Sequence, residues 1–145
     1  MIARMAGVRA GAEPDLEAVL DLWARSGAAP SVTDDLKSLS ALLRHDRGGL
    51  LIAELGGEVV ASLIAVYNGW RGSFFRLAVD PRHRRCGLAT QLVREGETRL
   101  LERGALRIDA IVSSDDPVAI GFWRALGYEH QADRARFVRN FTPGG

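Results

Sequence analysis

Apolar and polar positions follow two different periods along this chain, and the changes of period mark out its elements. Leu16, Val19, Leu20 and Trp23 recur at the i, i+3, i+4, i+7 spacing of an amphipathic helix, with Pro14 near its start and Gly27 beyond its end. Leu36, Leu39 and Leu43 predict a second helix from Asp34 to about His45, with Thr33 as its N-cap. The period then shortens. Leu50–Leu55 and Val59–Tyr67 are apolar, partly β-branched runs separated by Gly56-Gly57-Glu58, which predicts a β-hairpin. A second turn, Asn68 to Gly72, leads into a strand from Ser73 to Val79, and Asp80-Pro81 stops it because proline cannot donate to a ladder. The helical period returns between Gly87 and about Arg103, with Leu88, Leu92, Val93, Gly96 and Leu100 on one face. Leu106–Val112 reads as a strand, and Asp116-Pro117 opens a helix that Gly127 closes. Tyr128–Gln131 and Arg136–Phe141 read as a final antiparallel pair. With Met5–Arg9 as an opening strand, the order is β-α-α-β-β-β-α-β-α-β-β, a mixed α/β sheet.

Composition narrows the class. The chain has 145 residues, 47% apolar and 26% charged, and shows no repeat or low-complexity linker, so a single domain over 1–145 is expected. Nineteen basic residues balance eighteen acidic ones, which argues against a dedicated nucleic-acid binder. One cysteine, Cys86, allows no internal disulfide, and the opening residues lack the apolar core of a secretory signal. The expected setting is therefore cytoplasmic. His45, His83 and His130 sit on separate elements, so no metal site is expected.

Candidate chemistry concentrates between Leu77 and Gln91. A strand ends, a basic loop comes next (Arg82, His83, Arg84, Arg85), and Gly87-Leu88-Ala89-Thr90 starts a helix. The first N–H groups of a helix lack intrahelical partners and carry partial positive charge. Gly87 and small Ala89 would let a ligand reach them, so the segment reads as a pyrophosphate cradle; the plainer alternative is a basic surface loop. Neither the Gly-Lys-Ser/Thr phosphate loop nor the three-glycine dinucleotide fingerprint is present.

The string R-R-C-G-L-A at 84–89, after L-A-V-D-P-R at 77–82, resembles the acetyl-CoA motif of the GNAT N-acetyltransferase family, Arg/Gln-x-x-Gly-x-Gly/Ala, with Arg84, Gly87 and Ala89 in place. Asp116, Ala119, Phe122, Trp123, Gly127 and Tyr128 lie in register with its second motif, Asn-x-x-Ala-x-x-Phe-Tyr-x-x-x-Gly-Phe. Tyr67–Ser73 and Gly127–His130 further resemble the bacterial YpeA-like acetyltransferases. The resemblance implies a GNAT fold: a mostly antiparallel sheet of about seven strands, splayed at strands 4 and 5, flanked by about four helices.

It also implies acetyl transfer from acetyl-CoA to a primary amine by direct attack in a ternary complex. The cosubstrate's pantetheine arm would run along Leu77, Ala78 and Val79, and its pyrophosphate would rest on the amides of Arg84, Arg85, Cys86, Gly87, Leu88, Ala89 and Thr90. The Val79 N–H would serve the oxyanion, since a backbone donor is fixed before charge develops. Arg82 and Arg85 are candidates for the 3′-phosphate, or else solvated surface charge. Asp116, Ala119, Phe122 and Trp123 would border the cofactor, and Trp23, Tyr67 and Trp70 would wall the acceptor site, with core packing as the alternative for Trp23.

Two positions depart from the pattern. Trp123 replaces the tyrosine that many members use as general acid, and an indole N–H is no usable acid at neutral pH. Asp116 replaces asparagine and is better suited to capping the helix it precedes. No general base is assigned: the fourth strand offers only Arg76, while Asp34, Asp35 and Tyr67 are equally well read as surface acids and a core tyrosine. Cys86 lies away from any His and acid partner and is not needed as a nucleophile. The acceptor is left open between a small amine and a protein N-terminus. A non-catalytic acyl-CoA sensor or partner-binding module on the same fold is the alternative, and a nucleic-acid binder using Arg82 to Arg85 is the weakest reading. Dimerisation is common in the family, but no residue pattern here establishes a homodimer.

Overall fold

The structure, a computed structural model, describes residues 7–142. It divides into two compact units, one ending at Ile111 and one beginning at Val112. The first holds β1 (Gly7–Ala10), α1 (Leu16–Arg25), α2 (Leu36–His45), β2 (Leu50–Leu55), β3 (Glu58–Tyr67), β4 (Gly72–Val79), α3 (Leu88–Glu102) and β5 (Ile108–Ala110). The second holds α4 (Pro117–Ala125).

The five strands lie in sequence order. β1 to β4 form an antiparallel meander, and β5 joins β4 in parallel after the α3 crossover. The sheet is therefore mixed and mostly antiparallel, as expected. The β2–β3 turn uses Gly56 and Gly57 at φ 60° and 80°, the pair of positive values that a two-residue hairpin with the strand's own twist requires. Along β2 and β3 most side chains are buried on both faces, because helices cover the sheet: α3 packs on β2, β3 and β4, and α1 on β3 and β4. The five residues expected on the inner face of α3 are all buried.

Helix α3 lies unusually close at one point. A Cβ on Gly96 would stand 2.7 Å from Phe74 Cε1 and 3.3 Å from Leu63 Cδ2, both on buried side chains. Gly96→Val is expected to overpack this contact and cost roughly 1–3 kcal/mol of stability, measured by urea unfolding. An unchanged midpoint would show that the helix can shift outward freely.

Several boundaries differ from the sequence reading. The N-cap of α2 is Asp35, whose carboxylate accepts from Ser38 N–H at 2.7 Å, rather than Thr33. Leu22 is buried on α1 and Leu20 only partly so, since the covered arc of that helix extends toward Trp23. The expected strand at Leu106–Val112 contracts to three residues, with Leu106 98% exposed. The expected final strand pair is absent among the described residues: 128–142 forms no ladder, so five strands replace about seven. The alternation there supplies β propensity, yet Phe137, Val138 and Phe141 are exposed and bury no face that would hold a ladder together. Part of the expected first strand, Met5 and Ala6, lies outside the described residues.

Candidate functional site

β4 has a partner on each side only at its start. Its pairing with β5 covers Gly72, Ser73 and Phe74 and then stops, so the strands splay and, among the described residues, Phe75–Val79 present an edge with no strand beside it. Toward β3 the ladder is irregular at the same place: Phe75 faces Ile64 and Ala78 faces Ser62, leaving Arg76 and Leu77 opposite Leu63 alone. This is a β-bulge, and Arg76 sits in it at φ 54°. Such a value in a non-glycine residue costs on the order of 1–3 kcal/mol and persists only where its surroundings over-determine it. After the bulge the strand resumes. The Asp80 N–H donates to Val60 O at 2.8 Å, so the alternation of an extended strand turns the Val79 N–H to the opposite, unpaired edge.

Asp80 ends the strand and organises the basic loop after it. It is 1% exposed, and its carboxylate accepts from the Arg82 backbone N–H at 2.9 Å, from the Arg82 guanidinium at 3.0 Å and from Arg25 of α1 at 2.9 Å. Those bonds, first to the Arg82 side chain and backbone and then to Arg25, hold the carboxyl well below the usual carboxylate range. Arg82 also pairs with Glu58 at 2.5 Å, and Arg84 donates to Ser26 O at 3.0 Å. Two of the loop's three arginines are thus engaged in holding the loop against α1 and β3. Arg85, at φ 64° and exposed, has no hydrogen bond or ion pair among the described residues, and it is the cation left for a ligand.

Gly87 precedes α3 at φ 78°, and a Cβ built there meets nothing within 4 Å. No side chain caps this helix start, so the N–H groups of Leu88, Ala89 and Thr90 keep their free hydrogen-bonding capacity beside Arg85. Cys86 is an exposed free thiol in the same loop. Open space, uncapped amides and one free guanidinium fit a phosphate-bearing ligand, which would run on along the open edge at Leu77–Val79.

The proposed acceptor aromatics are not brought together. Trp23 is 3% exposed, and its indole N–H donates to the buried Ser62 hydroxyl at 2.8 Å beneath the bulge. Tyr67 and Trp70 instead line a cavity of about 370 Å³ with Arg71 and Arg107, at the end of α3 remote from Gly87. The 15 residues of α3 separate the two places by roughly 22 Å. In the second unit, Asp116 caps α4 by accepting from Ala119 N–H at 3.0 Å, and Trp123 is stacked edge-on with Phe122 and Tyr128.

Sequence reasoning missed Asp80 as more than a strand stop, because its partner Arg25 lies 55 residues upstream. It also left Asp34 unplaced. Asp34 is ion-paired with Arg76.

Residues 16–128 match the sequence profile of the Acetyltransferase (GNAT) family. The chain belongs to this family. Solved structures similar to this GNAT protein include the ribosomal-protein-S18-alanine N-acetyltransferase from Escherichia coli, at 24% identity and TM-score 0.72, covering 85% of this chain and 77% of that one. The aminoglycoside antibiotic 6'-N-acetyltransferase from Acinetobacter haemolyticus matches at 22% identity and TM-score 0.75, over 94% and 99% of the two chains. The PaiA N-acetyltransferase from Thermoplasma acidophilum, solved in complex with coenzyme A, matches at 14% identity and TM-score 0.76, over 87% and 91%. At these identities the likeness shows the GNAT fold. Among the described residues no group of side chains could hold a metal ion, and no helix is long and apolar enough to cross a membrane.

Proposed function

We propose that this GNAT protein transfers an acetyl group from acetyl-CoA to a primary amine. The observation that carries the reading is the bulged strand β4, open along its far edge, joined by the short basic loop 80–87 to a glycine-initiated start of α3 that no side chain caps. The amides of Gly87 to Thr90 and the Arg85 guanidinium would hold the pyrophosphate; Leu77 to Val79 would hydrogen-bond the pantetheine arm. The Val79 N–H would receive the carbonyl oxygen as negative charge develops on it. The amine nitrogen bonds to the carbonyl carbon, the C–S bond breaks, and the thiolate leaves as CoA. The proton that the amine nitrogen loses passes through water to the departing thiolate, and no side chain is assigned to carry it. The family profile spans both compact units, which supports one acetyltransferase domain over the whole chain. The lone thiol of Cys86 supports a reducing, cytoplasmic setting, and the Tyr67–Ser73 and Gly127–His130 segments support the YpeA-like branch.

Acetyl-CoA is expected to raise the melting temperature, by mass action on the folded state. A panel of polyamines, aminoglycosides and peptides with free N-termini, read by thiol release, identifies the acceptor class. Stabilisation without thiol release from any amine would favour the acyl-CoA sensor instead, the reading that Trp123 at the general-acid position supports. If acetyl-CoA leaves the melting temperature unchanged at millimolar concentration, both readings fail.

A further inference from the structure

Arg76 is the point where the bulge meets the loop between α1 and α2. Its guanidinium is ion-paired with Asp34, donates to Ala29 O at 2.9 Å, and lies 5.4 Å from the centre of the Trp23 ring. Asp34 in turn accepts from Ser31 N–H at 2.9 Å, so the same carboxylate shapes the loop and fastens it. Beneath, Trp23 donates to Ser62, whose hydroxyl makes a long 3.5 Å contact with the Arg76 carbonyl. Side chain and backbone of one strained residue are therefore held from opposite sides, by the loop above and by α1 and β3 below. Both Arg76 and Asp34 are largely buried, which protects the pair from the screening that weakens surface ion pairs.

We propose that Arg76 is a positioning residue: it ties the α1–α2 loop to the β4 bulge, so that the loop flanking the open edge and the amides offered to the thioester are held in one register. This rests on the acetyl-transfer reading. It explains why an arginine, with donors for two acceptors at once, occupies a conformation that favours glycine. It also gives Asp34 a place: its carboxylate is ion-paired with the Arg76 guanidinium and accepts from Ser31 N–H.

Four full-length chains test this: wild type, Arg76→Gly, Arg76→Lys and Asp34→Asn. Glycine tolerates φ 54° and keeps the bulge while deleting the tie. Asp34→Asn cuts the tie from the other side without touching β4. Hydrogen exchange is read on peptides covering 27–35 and 74–80, acetyl-CoA affinity by calorimetry, and kcat and KM with the fastest amine of the panel. Arg76→Gly and Asp34→Asn should each speed exchange in the 27–35 loop on the order of tenfold, while β2 is unaffected. Both should lower kcat on the order of tenfold, since loop and thioester amides lose their common register, and shift the acetyl-CoA KM less than about threefold. Arg76→Lys should recover part of this, since an ammonium reaches only one of the two acceptors well. Unchanged loop exchange in both tie-cutting variants overturns the proposal, as does an unchanged kcat. A wild type that turns over no amine defeats the acetyl-transfer reading instead, and loop exchange alone then decides whether the tie exists.

Discussion

Replacing Asp80 with asparagine is expected to lower stability by about 2 kcal/mol at neutral pH and to weaken acetyl-CoA binding at the same time. The amide keeps one oxygen for the Arg82 N–H but turns an NH₂ toward the Arg25 and Arg82 guanidinium groups, setting donor against donor at a side chain that is 1% exposed. Among the described residues, Arg82 then keeps only Glu58 and Arg25 only Val59 O. Because that carboxylate also holds the first turn of the loop that leads to α3, the amides proposed to meet the pyrophosphate lose their fixed aim. The pH dependence gives the sign. The folded-state carboxyl of Asp80 titrates far below its unfolded value near 4, so its contribution is fully present above that value and is lost as pH falls toward the depressed one. Urea unfolding at pH 7 and pH 3 should therefore show the gap between wild type and variant narrowing in acid. A gap that is constant with pH would mean that Asp80 acts through packing alone.

The second large effect is expected at Gly87. Gly87→Glu places a side chain at φ 78° and a carboxylate in the space where a phosphate would sit. The fold should survive, since nothing lies within 4 Å of the new Cβ, the backbone strain is about 1–2 kcal/mol, and an acid at a helix start is favourable. Acetyl-CoA affinity should nevertheless fall on the order of 100-fold or more, because the cradle would be filled by a like charge. Calorimetry on the folded variant checks this, and an affinity within threefold of wild type would mean that no phosphate rests on this helix start.

The parts of the molecule that were legible in the sequence are those governed by local rules. The spacing of Leu88, Leu92, Val93, Gly96 and Leu100 gave the inner face of α3, and Gly56-Gly57 gave the hairpin. The strand–loop–helix order gave the place of Gly87 at the start of α3. The parts that were not legible depend on distant partners. That Arg82 is tied to Asp80 and Glu58, leaving Arg85 as the free cation, cannot be read from a run of arginines that look alike. Nor can the bulge: Arg76 carries no glycine-like signal, and its φ is imposed by contacts with Ala29, Asp34 and Ser62, each distant in the chain. The failed reading of 136–141 has the opposite cause, since alternation reports propensity and says nothing about whether a partner strand exists.

The strand order has a consequence for how the molecule comes together. The hairpins from β2 to β4 close between neighbours in the chain, whereas β5 reaches β4 only after 15 residues of α3 have formed, and then through three residue pairs. That seam is held by fewer residue pairs than any other in the sheet, which makes it the natural place for the sheet to open locally. A ligand lying along Leu77 to Val79 would extend the ladder where the protein's own strand stops short, acting as a last strand that the chain does not itself encode.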